Sequence, residues 1–93
     1  LIGAKYVLEI GTCVGYSTIW LARALAPQGC VTSLEKNKAF YDIAIHNVSQ
    51  SDMAHKIMVM HGDALELLTN LKFDHSLDAV FIDADKINFY SKV

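Results

Sequence analysis

Four carboxylates stand at comparable places in this sequence: Glu9, Glu35, Asp63 and Asp83 each lie at or just past the end of a short apolar run. If those runs are parallel strands, the acids share the sheet edge where ligands bind in open α/β folds. Gly11 and Gly15 bracket a tight turn that lets the backbone approach a ligand closely. The helix after that turn offers amide groups and Ser17 to a negatively charged ligand group. The same spacing also suits a plain strand-to-helix turn. The dinucleotide fingerprint is not met, because Cys13 takes the middle glycine position and the third glycine is missing as well. A pyrophosphate cradle is therefore disfavoured. A nucleoside without phosphates demands less of this loop. Glu35, twenty residues past Gly15, is placed for two ribose hydroxyls or is a solvated strand end. Asp83-Ala84-Asp85-Lys86 is the second concentration of reactive groups. A carboxylate there can serve a hard cation, which takes oxygen ligands. A lysine is a base only where burial or neighbours lower its pKa. The other reading of Asp85 and Lys86 is a solvated turn after a buried strand.

The elements that must position these groups alternate. Tyr6–Ile10 is a β-prone run ending at Gly11, and from Ser17 the residues Trp20, Leu21, Ala24 and Leu25 repeat with a helical period until Pro27 and Gly29. Val31 to Glu35 reads as a second strand. Phe40, Ile43, Ala44 and Val48 then give a helix that closes at Ser49 to Asp52. Lys56 to Met60 is a third strand. Asp63 with Glu66 is an acidic capping pair ahead of a helix with Ala64, Leu67, Leu68 and Leu71 on one face. Ala79-Val80-Phe81-Ile82 is nearly continuous in apolar character and reads as a strand buried on both faces. Strand–helix alternation without repeats or linkers predicts an α/β, Rossmann-like parallel sheet with helices on both faces, in one domain over residues 1–93.

Composition narrows the function. In 93 residues, 53% hydrophobic and 19% charged, there is apolar surface for one core and too little charge for disorder. Eight Lys and Arg against ten Asp and Glu, a formal charge of -2, argue against nucleic acid or an anionic membrane as partner. Charges interrupt every apolar stretch, no leader opens the sequence, and Cys13 and Cys30 have no metal-type spacing, so a cytoplasmic protein with reduced thiols is expected. The chain begins at Leu1 without Met and stops at Val93 soon after an acid-rich strand end, which suggests a segment of a longer protein.

Taken together, Val7-Leu8-Glu9-Ile10-Gly11-Thr12-Cys13-Val14-Gly15-Tyr16-Ser17, Gly62-Asp63-Ala64 and Phe81-Ile82-Asp83-Ala84-Asp85-Lys86 resemble the cation-dependent O-methyltransferases of the caffeoyl-CoA and catechol type. The resemblance runs in order over essentially the whole chain. It implies a class I methyltransferase fold, S-adenosylmethionine as methyl donor, Mg2+ as divalent cation, a small hydroxylated acceptor and a homodimer. By resemblance, Glu9, Gly11, Thr12, Gly15 and Ser17 would surround the methionine part of the cofactor, Glu35 would hold the ribose, and Asp63 with Ala64 would flank adenine. Asp83 would ligate the cation and touch the cofactor, and Lys86 would remove the acceptor hydroxyl proton. Bidentate binding of vicinal hydroxyls to a cation lowers the pKa of the one to be methylated.

The sequence departs from the pattern after Lys86, where Asn88 is followed by Phe89 and the tyrosine is displaced to Tyr90. The later Asp-Asn pair that completes the family's metal site is absent from these residues. Competing readings are a metal-independent methyltransferase of the same fold and a non-catalytic nucleoside-binding module. His46, His55, His61 and His75 have no helical metal spacing and read as structural or surface groups. Cys13 reads as packing beside the cofactor, while Trp20, Met58 and Met60 read as core and Met53 as an uninformative loop residue.

Overall fold

The computed structural model describes residues 3–70 and 76–82. Along the chain, β1 (Tyr6–Ile10), α1 (Tyr16–Arg23), β2 (Cys30–Glu35), α2 (Lys38–Ser49), β3 (Ile57–His61), α3 (Ala64–Asn70) and β4 (Ala79–Ile82) follow one another, with a single 3-10 turn over Ala54–Lys56 before β3. The alternation expected from the sequence is present, with β3 displaced by one residue and α1 reduced to eight. All three ladders are parallel and the strand order is β3-β2-β1-β4. The chain thus steps outward from β1 to β3 and then returns to the far side of β1. That reversal makes a crevice at the carboxyl ends of β1 and β4, the place where open α/β sheets bind ligands.

Side-chain alternation assigns the two faces of the sheet. Val7 and Val31 pack with Ala22 and Leu25 of α1 and the segment after it, in a buried cluster that also takes Met53 and Ile57. Ile10 and Leu34, one residue out of phase, meet Leu65 and Leu68 of α3 on the opposite face. Helices therefore cover both faces, and Glu9 and Ser33, register partners across β1 and β2, share the α1 side. Full burial of Val7, Leu8, Val31 and Leu34 supplies about 1.5–3 kcal/mol each.

Helix boundaries have local causes. Asn37 caps α2 by accepting from the Phe40 N–H at 3.0 Å. Asp78, ahead of β4, accepts from the backbone N–H groups of Lys5 and Tyr6 at 2.8 and 2.9 Å and so ties the start of β1 to its neighbour. Arg23 reaches Asp52 at 2.9 Å and joins α1 to the turn after α2. That hydrogen bond holds the Asp52 carboxyl below the usual carboxylate range, although both groups are exposed and the pair is screened by salt.

Several expectations about burial are corrected. Trp20 is 68% exposed, because α1 turns Thr18, Ile19 and Ala22 toward the sheet and leaves Trp20 outside, under the Arg23 guanidinium at 5.2 Å. On α2 the buried residues are Ala44 and Val48, with Ile43 exposed; on β3 Met58 is exposed, whereas Met53 is partly buried and packs against the core cluster. β4 is not buried on both faces: Val80 and Ile82 are 51% and 58% exposed, and among the described residues the strand pairs with β1 alone. No helix among the described residues is long and apolar enough to cross a membrane.

Candidate functional site

The loop from Gly11 to Gly15 leaves β1 and folds over the end of β2. The Gly11 and Thr12 N–H groups both donate to the Leu34 carbonyl, at 2.9 and 3.3 Å. Gly11, Cys13 and Gly15 all have positive φ, of 97°, 54° and 93°. Glycine takes that region without strain, and Cys13 is held there by its N–H, which donates to Glu35 Oε1 at 2.6 Å. Gly15 is also the N-cap of α1, and its carbonyl accepts from Ile19 N at 3.0 Å. A Cβ at Gly15 would meet Ala44 of α2 at 3.5 Å, an ordinary contact, so the penalty of a side chain lies in the backbone. Gly15→Ala is expected to cost about 1–2 kcal/mol, read as a lower urea midpoint at unchanged slope. Asn47 of α2 completes the fastening by donating from Nδ2 to the Val14 carbonyl at 2.8 Å.

Beneath the loop lies a buried polar network. Glu9 is 4% exposed and its carboxylate accepts from three hydroxyls: Ser17 Oγ at 2.8 Å on Oε2, and Ser33 Oγ at 2.7 Å together with Thr18 Oγ1 on Oε1. Thr12 Oγ1 lies 2.6 Å from Ser33 Oγ. A serine hydroxyl has one proton, and that of Ser33 goes to Glu9, so the Thr12 hydroxyl is the donor in this pair. Glu35, fully buried, accepts from Cys13 N on Oε1 and from Asn37 N on Oε2 at 3.0 Å. It links the loop to the start of α2. Of the acids expected on the sheet edge, then, Glu9 turns inward under α1 and Glu35 is closed over by backbone. Asp63 is exposed and caps α3, its Oδ1 accepting from Leu65 N at 2.9 Å and Glu66 N at 3.4 Å. Asp83, Asp85 and Lys86 lie outside the described residues.

On the other face a cavity of about 290 Å³ opens at the strand ends. Its walls are Ile10 and Gly11 after β1, Leu34 and Lys36 at β2, Gly62, Asp63 and Ala64 after β3, Leu65 and Leu68 of α3, and Ile82 of β4. The volume is at the low end for small-molecule sites and suits one flat heterocycle. The walls are apolar, with Lys36 and Asp63 supplying the charge. Gly11, Asp63 and Ala64 are thereby brought together; Thr12, Ser17, Glu9 and Glu35 are on the loop and α1 side of the same strand ends. Ile10, Leu34, Leu65 and Lys36 were not among the sequence candidates. The available signal was parity: residues next to Glu9 and Glu35 in the strands must point to the opposite face. Among the described residues no three His, Cys, Asp or Glu side chains converge as a metal site. His61, at the end of β3, has Nε2 3.2 Å from the Lys36 carbonyl and its ring 5.3 Å from that of Tyr41.

Known proteins share this geometry. The O-methyltransferase family model matches residues 1–93. The catechol O-methyltransferase of Mycobacterium tuberculosis is 46% identical over 87 residues, which make up 94% of this chain and 39% of that protein. Caffeoyl-CoA O-methyltransferase 2 of Petunia hybrida is 37% identical over 93 residues, with 96% of this chain and 38% of that protein covered. Among solved structures, an O-methyltransferase from Bacillus cereus in complex with SAH matches with a TM-score of 0.83 at 43% identity, over 97% of this chain and 43% of that one. The O-methyltransferase TomG from Streptomyces achromogenes, in complex with SAM, matches at 0.79 and 38% identity, over 96% and 42% of the respective chains. The chain spans about two fifths of the length of the relatives it matches.

Proposed function

Because the chain belongs to the O-methyltransferase family, we propose that it forms the nucleoside-binding part of an enzyme that methylates a hydroxyl of a small catechol-like acceptor from S-adenosylmethionine, with a divalent cation, Mg2+, assisting. The observation that supports this reading best is the apolar slot at the point where the strand order reverses. Ile10, Leu34, Leu65 and Leu68 would enclose the faces of adenine, with Asp63 and Ala64 at its edge. Glu35, at the end of β2 and bonded to the backbone of Cys13 and Asn37, would hold the ribose, a role that rests on the family match. The loop Gly11 to Gly15 would pass beside the methionine part, held at that distance by its hydrogen bonds to β2 and α2. Bound there, S-adenosylmethionine supplies a methyl group on a positively charged sulfur. Rigid anchoring of the loop then contributes by orientation, since a displacement at carbon requires oxygen, methyl and sulfur nearly in line. Asp83 is the residue of this chain proposed to hold the cation, and Lys86 the one proposed to take the acceptor proton.

Incubation of the intact protein with S-adenosylmethionine and catechol is expected to give a methylated catechol and an equal amount of S-adenosylhomocysteine. A chelator should suppress the reaction and Mg2+ restore it. Undiminished transfer in chelator would replace the metal-assisted reading by a metal-independent one. Absence of any transfer by a protein that binds S-adenosylhomocysteine would leave a nucleoside-binding module.

A further inference from the structure

The loop over the strand ends is fastened to β2 in three ways, and one of them depends on a residue with no assigned role. Two fastenings are made by groups at the end of β2: the Leu34 carbonyl, which receives Gly11 N and Thr12 N, and the Glu35 carboxylate, which receives Cys13 N. The third is a side-chain pair, Thr12 Oγ1 donating to Ser33 Oγ at 2.6 Å. Thr12 and Ser33 are both fully buried, so no water can stand in for either partner. Ser33 passes its own proton to Glu9 Oε1 at 2.7 Å, and Glu9 in turn accepts from Ser17 and Thr18 in the first turn of α1. One hydroxyl therefore joins the loop, both central strands and the start of the helix.

We propose that Ser33 is a positioning residue for the nucleoside site: its hydroxyl sets where the Gly11–Gly15 loop lies, and so the affinity for the cofactor, without touching the cofactor itself. The proposal rests on the nucleoside reading of the cavity. Register makes the role possible, because β1 and β2 pair Glu9 with Ser33, and the loop that follows β1 brings the Thr12 hydroxyl to Ser33. Ser33 lies on the opposite face from the cavity wall formed by its neighbour Leu34, so its effect on a ligand must travel through the loop.

The test compares Ser33→Ala, Thr12→Val and the double variant in the intact protein, with S-adenosylhomocysteine affinity measured by calorimetry beside thermal stability. Thr12→Val removes the loop's hydrogen bond and Ser33→Ala removes it together with the bond to Glu9, and each is expected to weaken binding about tenfold or more, the equivalent of at least one buried hydrogen bond. The double variant should be no weaker than Ser33→Ala alone, whereas Ser33→Thr, which keeps the hydroxyl, should bind nearly as the parent does. Wild-type affinity in Ser33→Ala, or losses that multiply in the double variant, would overturn the proposal. If Ser33→Ala does not fold, the near-isosteric Ser33→Cys against Ser33→Thr decides: equal affinities would overturn it, and a tenfold difference would uphold it. Failure of the parent protein to bind S-adenosylhomocysteine would instead overturn the nucleoside reading, and this proposal with it.

Discussion

Glu9→Ala is expected to lower the unfolding free energy by about 3 kcal/mol or more, the largest stability effect of any single site described for this chain. Three hydroxyl donors, from Ser17, Thr18 and Ser33, converge on its carboxylate, and the last two belong to fully buried residues. A hydrogen bond to a charged group is worth about 1.5–3 kcal/mol, and a buried donor stripped of its acceptor loses its full solvation as well. The three terms are not additive, since freed hydroxyls can turn toward one another, which keeps the total near the sum of two. Glu9→Gln is expected to cost only about 1 kcal/mol. The amide nitrogen can take the Oε2 position, where Ser17 is exposed and its hydroxyl can rotate to accept, while the amide oxygen keeps Thr18 and Ser33. Denaturant midpoints of the two variants check this. A Gln variant as unstable as the Ala variant would mean that the charge itself, rather than its acceptor geometry, holds α1 to β1.

Glu35 gives the opposite pattern. Glu35→Ala is expected to weaken S-adenosylhomocysteine binding about a hundredfold, from two lost charge-assisted hydrogen bonds to backbone and, on the proposed reading, a lost ribose partner. Here Glu35→Gln should be nearly as weak. Both carboxylate oxygens face backbone N–H donors, of Cys13 and Asn37, and neither donor can rotate to accept, so an amide NH2 must oppose one of them. Calorimetric affinities of the two variants are the check. A Gln variant that binds as the parent does would remove Glu35 from both the loop anchor and the ribose site.

These contrasts show which parts of the molecule were legible in its sequence. The alternation of strands and helices was, because each run has one clear period and is closed by Gly, Pro or a capping side chain such as Asp63. The position of Glu9, Glu35 and Asp63 at strand ends was legible too, but not their direction. Glu9 lies one residue before the end of β1, on the face that α1 covers, and only the rotation of α1 made Ser17 and Thr18 its partners. That same rotation explains Trp20. Periodicity placed it with Leu21, Ala24 and Leu25, whereas recruitment of the Thr18 hydroxyl by Glu9 shifts the buried face to Thr18, Ile19, Ala22 and Leu25. The cavity walls escaped for a related reason: Leu65 and Leu68 resemble any apolar helix face until the strand order brings Ile10, Leu34 and Ile82 opposite them. Strand order depends on long-range pairing, which no local period encodes. Solvent exposure on β4 was unreadable from its own apolar run, since burial is a property of the neighbouring layers.

The most direct test of the account is titration of S-adenosylhomocysteine into the intact protein by calorimetry, with NADH titrated under the same conditions. Saturable binding of S-adenosylhomocysteine at one site per chain, with no heat from NADH, is the predicted result: the slot takes a nucleoside, and the Gly11–Gly15 loop, with Cys13 where a dinucleotide site has glycine, does not cradle a pyrophosphate. A folded protein that gives no heat with S-adenosylhomocysteine, or that binds NADH in its place, would contradict it.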